Sequence, residues 1–187
     1  MKILSTPAEG LREPSRKIGE ITTEIKDLAQ KMIDLSLDWE KDHPHEISSA
    51  LAAPQVGENV RMIIVRNSSD DKSDKTFTTL INPKVVSESG RLLEDWEGCL
   101  SVPDLYGKVA RREQIKVSAV TLDGEEVRVK VSGHLARTIL HEIDHLDGVL
   151  FLDKIKGKRK SFARLQKNGE LMPIDYSEVE DNDDLWG

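Results

Sequence analysis

The sequence predicts a single α+β domain in which antiparallel and mixed strands pack around one central helix. The length of 187 residues is enough for one domain with a sizeable hydrophobic core. Hydrophobic residues make up 37% and charged residues 33% of the chain, a balance typical of folded globular domains. Helical and alternating apolar patterns follow one another along the chain without an internal repeat, which favours a mixed architecture.

The composition also argues against several classes of function. The formal net charge of -7 disfavours a general nucleic-acid binder, so we expect no DNA partner. No apolar run approaches the roughly 20 residues that a membrane span needs, so we expect no membrane partner. The N-terminus lacks the apolar core of a signal peptide. We therefore expect a cytoplasmic protein.

The first predicted element is a helix over residues 22–42. Large apolar residues recur there at steps of three and four, which is the helical period. Thr22 or Thr23 is the expected N-cap, and Pro44 disfavours helix beyond this segment. The apolar stripe is expected to pack on the core without any part in the chemistry, and it consists of Ile25, Leu28, Met32, Leu35 and Trp39.

The next predicted elements are strands. Residues 60–67 form a short β-branched run, and residues 79–86 form a second one. The polar segment 68–76 between them predicts an exposed loop. Residues 114–133 contain two alternating runs around an Asp-Gly pair, which is the favoured chemistry of a tight hairpin turn.

A second helix follows this hairpin, over the stretch "HLARTILHEIDHL". Ser132 is the expected N-cap and Gly148 the expected stop signal. Because each helical residue turns by about 100°, four apolar residues fall within an arc of about 80°. These residues are expected to face the core, and they are Leu135, Ile139, Ile143 and Leu146.

The C-terminal part of the chain divides by charge. Lysines and arginines crowd residues 154–169, which predicts a solvated helix or, alternatively, a helix that docks on an acidic partner such as ribosomal RNA. We place the boundary of the domain at residue 170. Residues 171–187, which end in an acidic stretch, are then expected to form a mobile tail.

The second helix carries a pattern typical of a metal site. His141 and His145 lie about 40° apart on one helical face, so their imidazoles can converge on one cation. Glu142 lies about 60° beyond His145 and can take a proton from metal-bound water. The alternative is an ordinary amphipathic helix with two surface histidines.

A catalytic metal usually has a third protein ligand. His43, His45, His134 and Cys99 are the candidates, and the alternative for the single cysteine is a small buried apolar residue. Gly98 permits a close approach of the backbone beside Cys99.

Charged residues around the ligands are expected to orient them. Asp144 lies on the helix about 60° from His141, on the side away from Glu142. We expect it to pair with Arg111 or Arg112 and to support the site from outside the ligand set. The alternative is a plain surface salt bridge.

Three motifs, in this order, resemble those of the peptide deformylases. They are "SSALAAPQ" at 48–55, "EGCLS" at 97–101 and "HEIDH" at 141–145. The resemblance covers about residues 1–165, and "SVPDLYGKVARRE" is most similar to the branch that includes organellar enzymes. It implies a metal-dependent hydrolase of protein biosynthesis that processes N-terminal methionine by removing the formyl group from N-formylmethionine of nascent polypeptides.

The resemblance also implies roles for individual residues. Cys99, His141 and His145 would be the metal ligands, and Glu142 the general base. The side chain of Gln55 and the backbone N–H of Leu100 would stabilise the developing oxyanion. The metal would be one divalent ion per chain, Fe²⁺ by preference, with Zn²⁺ or Ni²⁺ able to occupy the site.

The chain departs from the family at the first motif. Ser48 and Ala50 stand where the family has glycines, and each adds a Cβ that can shift the loop or narrow the cleft. Two alternatives to an active deformylase therefore remain open. One is a metal-dependent amidase with another substrate, and the other is a non-catalytic relative that binds ribosomes or nascent chains.

Overall fold

The computed structural model describes residues 1–69 and 71–186 and has one seven-stranded sheet. The strands are β1 (Ala50–Ala52), β2 (Met62–Arg66), β3 (Phe77–Cys99), β4 (Val102–Val120), β5 (Glu126–Ser132), β6 (Phe162–Leu165) and β7 (Leu171–Ile174). The order is β1-β2-β3-β4-β6-β7, and β5 pairs with the other part of β4. Every paired strand in this sheet is antiparallel.

Three α-helices accompany the sheet, namely α1 (Thr23–Asp42), α2 (Gly133–Leu146) and the short α3 (Asp183–Trp186). Together with the sheet they confirm the predicted α+β architecture. Among the helices of residues 1–69 and 71–186, none combines the length and the apolar character that a membrane crossing requires.

Helix α1 agrees with its predicted bounds, with Thr22 in the N-cap position. Its apolar stripe packs against β1 and β2, because Leu28 and Met32 share a buried cluster with residues of these strands. That the stripe takes no part in the chemistry stays a prediction. The last member, Trp39, lines the cleft described below, since the stripe runs the length of α1 and its C-terminal end reaches that cleft.

The strand predicted at 79–86 is only the beginning of β3. β3 continues to Cys99, pairs with β4 throughout, and passes through register shifts, the first between Ile81 and Lys84 around Pro83. Residues 87–95 are exposed and mostly polar, and their two apolar members, Leu92 and Leu93, are adjacent, so the segment lacks the alternation from which a strand is predicted. The hairpin around Asp123-Gly124 was predicted correctly, and Gly124 adopts φ +85 in its turn. Asp70 of the predicted loop 68–76 lies outside the described residues.

Helix α2 lies centrally, against β1, β2, β4 and β5. Ile139, Ile143 and Leu146 are buried in the core as predicted. Leu135 is 39% exposed, so its predicted place in the core was wrong, because the first turn of α2 projects beyond the sheet. Gly148 follows the helix with φ +75, in agreement with its prediction as a stop signal.

The C-terminal part differs most from the prediction. Residues 154–169 form no α-helix but a short 3-10 turn at Phe151–Lys154, a bend and strand β6. The boundary placed at residue 170 is not a structural one, because β7 pairs with β6 and Trp186 packs against Phe162 and Tyr176. Gly187 of the predicted tail lies outside the described residues.

Candidate active site

The structure brings together three side chains that can ligate a metal. Ligand atoms of Cys99, His141 and His145 all lie within 4.8 Å of one another. Cys99 Sγ is 3.1 Å from His145 Nε2. His141 uses Nδ1 for a 2.9 Å contact with Glu97 Oε2, which leaves its Nε2 for a metal. No other such group of ligands occurs within residues 1–69 and 71–186.

Local structure explains why these groups meet. Cys99 ends β3 just before the tight turn at Leu100 and Ser101 that leads into β4. The two histidines are one turn apart on α2, with ring centroids 5.0 Å apart. Gly98 allows the ring of Tyr106 to pack closely on the backbone beside Cys99, because an added Cβ would lie 2.6 Å from two ring atoms.

The donor set fits a divalent transition metal. Metal–sulfur and metal–nitrogen bonds of about 2.3 and 2.1 Å place tetrahedral ligand atoms about 3.5 Å apart, so the observed spacing needs little adjustment. One thiolate and two imidazoles favour a soft-to-borderline cation. His145 Nδ1 and Glu142 Oε2 are buried and have no hydrogen-bond partner within the described part of the chain. The free oxygen of Glu142 is consistent with a site that is completed by a metal and water, whereas His145 Nδ1 is the ring nitrogen opposite Nε2, which faces Cys99.

Glu97 is the centre of the charge network behind the ligands. Its carboxylate accepts hydrogen bonds from Arg111 Nε at 2.5 Å and from Arg137 Nη1 at 2.7 Å, and it holds His141 through Nδ1. Burial by itself raises the pKa of Glu97, but hydrogen bonds from Arg111 and His141 and their charges hold this pKa well below its usual range. Glu97 therefore remains an anion that fixes the orientation of one ligand.

Arg111 links Glu97 to helix α2. Its Nη1 donates to Asp144 Oδ2 at 2.7 Å, so the expected pair of Asp144 with Arg111, and not Arg112, is present. Lys154 Nζ lies 3.1 Å from the other carboxylate oxygen of Asp144. The arrangement is therefore a partly buried network and not an isolated surface salt bridge.

Arg137 supports Glu97 and is a residue that the sequence interpretation did not single out. It is 7% exposed and donates to the carbonyls of Leu93 and Val109 as well as to Glu97. Its spacing could have indicated a place near the site, since Arg137 lies one helical turn before His141 on α2. Its partners lie more than 25 positions away in the sequence and could not be inferred from this spacing.

Glu142 lies beside the ligands in a buried position, 4% exposed. Burial raises the pKa of Glu142 to about 7, and the negative charges of Glu97 and Asp144 add to this, whereas His141 and Arg111 oppose it. The two histidines are shifted in opposite directions. Burial lowers the pKa of both, but hydrogen bonds with Cys99 and Glu97 raise that of His141, whereas the charge of His141 further lowers that of His145.

Gln55 reaches the same site from the 3-10 helix that follows β1. Its Oε1 accepts the backbone N–H of Ala52 at 2.8 Å, which fixes the amide so that Nε2 points to Cys99 Sγ at 3.5 Å and to Ser101 Oγ at 3.1 Å. Leu100 lies in the turn next to Cys99 and lines the cleft. The predicted oxyanion donors and the predicted ligands therefore meet at one site.

A cleft of about 430 Å³ opens over this site. His43, His45 and His134 line it, but none of them belongs to the ligand group, which selects Cys99 from the four candidates. Tyr106 donates its hydroxyl to Glu46 Oε2 at 2.6 Å across the lining. Burial and this bond raise the pKa of Tyr106, so its hydroxyl remains protonated at neutral pH.

Ser48 and Ala50 occupy the positions where the family has glycines. Ser48 is fully buried, and its Oγ lies 2.6 Å from Ser36 Oγ. Ala50 packs in the core cluster around α2 and also lines the cleft. Both side chains are thus accommodated. Leu140, the residue before His141, is part of the same core cluster.

Comparisons with known proteins agree with this geometry. A sequence model of the family described as "Polypeptide deformylase" matches residues 1–161. A peptide deformylase of Thermomicrobium roseum is 42% identical over 151 residues, 79% of this chain and 81% of that protein. "Peptide deformylase 2" of Gloeobacter violaceus is 39% identical over 159 residues, 85% and 81% of the two chains. The crystal structure of a peptide deformylase from Synechococcus elongatus in complex with actinonin superposes with a TM-score of 0.73 at 34% identity, over 84% of this chain and 80% of that one.

Proposed function

Because the chain belongs to the peptide deformylase family, we propose that Cys99, His141 and His145 hold its catalytic metal and that Glu142 transfers the proton. The protein is a metal-dependent hydrolase that removes the N-formyl group from N-formylmethionine of nascent polypeptides. The observation that supports these roles best is the convergence of the three ligand atoms beside a buried carboxylate.

The reaction is the hydrolysis of a formamide. When bound, the metal supplies a Lewis acid that polarises water and the formyl carbonyl. Glu142 takes a proton from the attacking water, and the oxygen of this water forms a bond to the formyl carbon. The C–N bond then breaks, formate leaves, and Glu142 returns the proton to the amine of methionine.

Two further groups act on the charge that develops on the formyl oxygen. Gln55 Nε2 and the backbone N–H of Leu100 are the donors that we assign to it. The bond from Ala52 holds the amide of Gln55 in place before substrate arrives, so little reorganisation is needed during the reaction. Asp144, Arg111 and Gly98 act through the ligands, by orienting them or by shaping the strand that carries Cys99.

We propose Fe²⁺ as the resident metal, with Zn²⁺ and Ni²⁺ as possible substitutes. The mixed sulfur and nitrogen donors suit each of these cations, and the thiolate disfavours Mg²⁺ and Ca²⁺. Metal analysis of protein purified without oxygen tests this assignment. One iron per chain is the expected result, and a stoichiometric content of another metal with full activity would contradict it.

The function is tested with three matched peptides. Formyl-Met-Ala-Ser, acetyl-Met-Ala-Ser and Met-Ala-Ser are incubated with the metal-loaded protein, and the products are separated by chromatography. We expect formate and Met-Ala-Ser from the first peptide and no cleavage of the other two. Cleavage of the acetyl group or of the peptide bonds would instead support a different metal-dependent amidase. The complete set of chemical groups does not favour the non-catalytic alternative.

We also propose that exposed basic residues at 154–167 contact the ribosome. The side chains are Lys154, Lys156, Lys158, Arg159, Lys160, Arg164 and Lys167, and all are exposed. They lie on a turn and on β6, so the surface is not the helix expected from the sequence. Three of them also contact other side chains, because Lys154 pairs with Asp144, Arg159 pairs with Asp175, and Lys156 lies over the Trp186 ring.

Sedimentation with ribosomes at increasing salt tests this contact. Lys158→Glu combined with Lys160→Glu should weaken binding and reduce its salt dependence, because phosphate contacts release counterions. Lys26→Glu combined with Lys31→Glu, at exposed positions of α1, is the matched control. Equal binding by both pairs would contradict the proposal.

We further propose a cytoplasmic location, where nascent chains are made, and fractionation of cells that express the chain tests it.

A further inference from the structure

A second cluster of buried polar side chains lies behind the cleft, between α1 and the segment that leads into β1. Its members are Ser36, Glu40, Ser48 and Arg66, and each is at most 4% exposed. Arg66 Nη2 donates to Glu40 Oε1 at 2.5 Å, and the two serine hydroxyls are 2.6 Å apart. The catalytic roles assigned above use none of these side chains.

Glu40 and Arg66 hold the backbone of this segment from two sides. Glu40 Oε1 also accepts the backbone N–H of Ser48 at 2.8 Å. The backbone N–H of Arg66 donates to the carbonyl of Ser49 at 2.8 Å, and Lys75 Nζ lies 3.7 Å from Glu40 Oε2. Hydrogen bonds to Glu40 Oε1 and from Arg66 Nη1 and Nη2 hold the buried pair in place, whereas Glu40 Oε2 and Arg66 Nε have no hydrogen-bond partner among the described residues. Glu40 Oε1 therefore restrains the backbone N–H of Ser48, and the backbone of Arg66 restrains the carbonyl of Ser49.

The restrained segment forms one wall of the cleft. Ile47, Ser49 and Ala50 line the cleft, whereas the four side chains of the cluster do not. A change at the cluster thus reaches the substrate through this wall. The metal ligands and Glu142 are carried by other elements, β3 and α2.

We propose that the cluster of Ser36, Glu40, Ser48 and Arg66 positions the cleft wall and thereby sets the affinity for the formylated peptide. This inference rests on the proposed function. Serine at position 48 gives the wall a bond that glycine could not make, because its hydroxyl reaches Ser36 on α1. The cluster consists of positioning residues and touches neither substrate nor metal.

The serine pair gives the sharpest test. We expect Ser36→Ala and Ser48→Ala each to raise KM for formyl-Met-Ala-Ser by about threefold to tenfold, the range that the loss of one hydrogen bond gives. The value of kcat and the metal content should remain unchanged. The KM of the double variant should be no higher than that of either single variant, because all three variants lack the same hydrogen bond. Ser15→Ala is the matched control, since Ser15 is buried and its hydroxyl has no partner among the described residues.

A binding measurement separates positioning from catalysis. Titration calorimetry with the product peptide Met-Ala-Ser should show the same loss of affinity as KM in both serine variants. Glu40→Gln keeps the shape but removes the charge beside Arg66, and we expect a larger rise in KM. If that variant does not fold, the serine variants still decide the question.

The inference is overturned if both serine variants match Ser15→Ala in KM and in product affinity, or if they lower kcat while KM stays constant. A failure of the proposed function would look different, because the wild-type protein itself would then release no formate. The inference alone fails when the wild type releases formate and the serine variants bind substrate as tightly as the wild type.

Discussion

Glu97 contacts one of the three proposed ligands, His141, and is itself held by two arginines. Its carboxylate contacts His141 Nδ1 at 2.9 Å and is held in turn by Arg111 and Arg137, both nearly buried. A ligand nitrogen that is restrained in this way loses little freedom when the metal binds. We therefore expect metal affinity to depend on the charge at position 97.

Glu97→Gln should weaken metal binding by about 10- to 100-fold, the usual effect of removing a group that orients a ligand. It should also lower the free energy of unfolding by about 3 to 5 kcal/mol, because the buried guanidinium of Arg137 loses its counter-charge and that of Arg111 is left with Asp144. Competition with a chromogenic chelator and urea unfolding measure these two quantities. Glu94→Gln, on an exposed part of the same strand, is the control and should leave both unchanged. Equal metal affinity in the two variants would contradict the role of Glu97.

The lowered pKa of Glu97 also predicts how stability depends on pH. Because the pKa in the folded state lies below the usual 4.5, the stabilisation is complete above about pH 4.5 and is lost as the pH falls toward the folded value. Urea midpoints of the metal-free protein should therefore decline below about pH 4.5. The decline should be smaller in Glu97→Gln. A decline of equal size in both proteins would assign the acid sensitivity to other groups.

The sequence indicated how the proposed ligands meet better than it indicated the groups that support them. His141, Glu142 and His145 lie within one helical turn, so their geometry follows from the helical period alone. Cys99 was found because it is the only cysteine in the chain and lies in a recognisable motif. Arg137 was missed because its partners Leu93, Val109 and Glu97 are brought to it only by the folded sheet.

At the level of single elements, the long β3–β4 hairpin carries Cys99 into the site. The sequence predicted the first part of β3 and the last part of β4, but not the part between them. The exposed middle of β3 lacks an alternating pattern from which a strand could be predicted. Near the turn at 100–101, Gly98 packs against the ring of Tyr106, which is itself held by Glu46. The close approach fixes the position of the strand beside the ligand.

Gly98→Ala tests this packing. Its Cβ would lie 2.6 Å from the Tyr106 ring, so we expect a loss of about 1 to 3 kcal/mol in the free energy of unfolding and a lower kcat/KM. Gly19→Ala is the control, because no described atom lies within 4 Å of a Cβ at that position. Adding Tyr106→Leu to Gly98→Ala should restore part of the stability. A Gly98→Ala protein as stable and active as Gly19→Ala would contradict the argument.

The two main helices and the C-terminal segment illustrate the limit of element prediction. Helices α1 and α2 were predicted to within one or two residues, because each combines an apolar period with a clear boundary residue. Residues 154–169 were expected to be helical from their charge pattern. They fold into a turn and a strand instead, since Ile155 and Phe162 are buried against the sheet, and this tertiary contact outweighs the local pattern.

At the level of the whole molecule, the C-terminal segment closes the end of the sheet that lies beyond β4. Trp186 packs on Phe162 and Tyr176, and its Nε1 donates to the carbonyl of Val179 at 2.7 Å. Arg12 Nη2 also donates to the carbonyl of Leu185 at 3.2 Å, which joins the two ends of the described chain. This segment is therefore part of the fold.

Trp186→Ala should lower the free energy of unfolding by about 2 kcal/mol, because a half-buried aromatic side chain loses its apolar contacts. The deformylase reaction should continue at its wild-type kcat, since the aromatic contacts of Trp186 are with Phe162 and Tyr176 and not with the proposed ligands. Urea unfolding and formate release measure the two effects. Glu180→Ala, at an exposed position in the same segment, is the control, and equal stability of the two variants would indicate a segment that does not contribute to the fold.

The most direct test of the mechanism is formate release from formyl-Met-Ala-Ser by Fe²⁺-loaded protein without oxygen, compared with the Glu142→Ala variant at equal metal content. We expect release by the wild type and a loss of at least about 100-fold in kcat for the variant, the usual contribution of a general base. A variant that retains its activity, or a metal-loaded wild type that releases no formate, would contradict the assignment of this site.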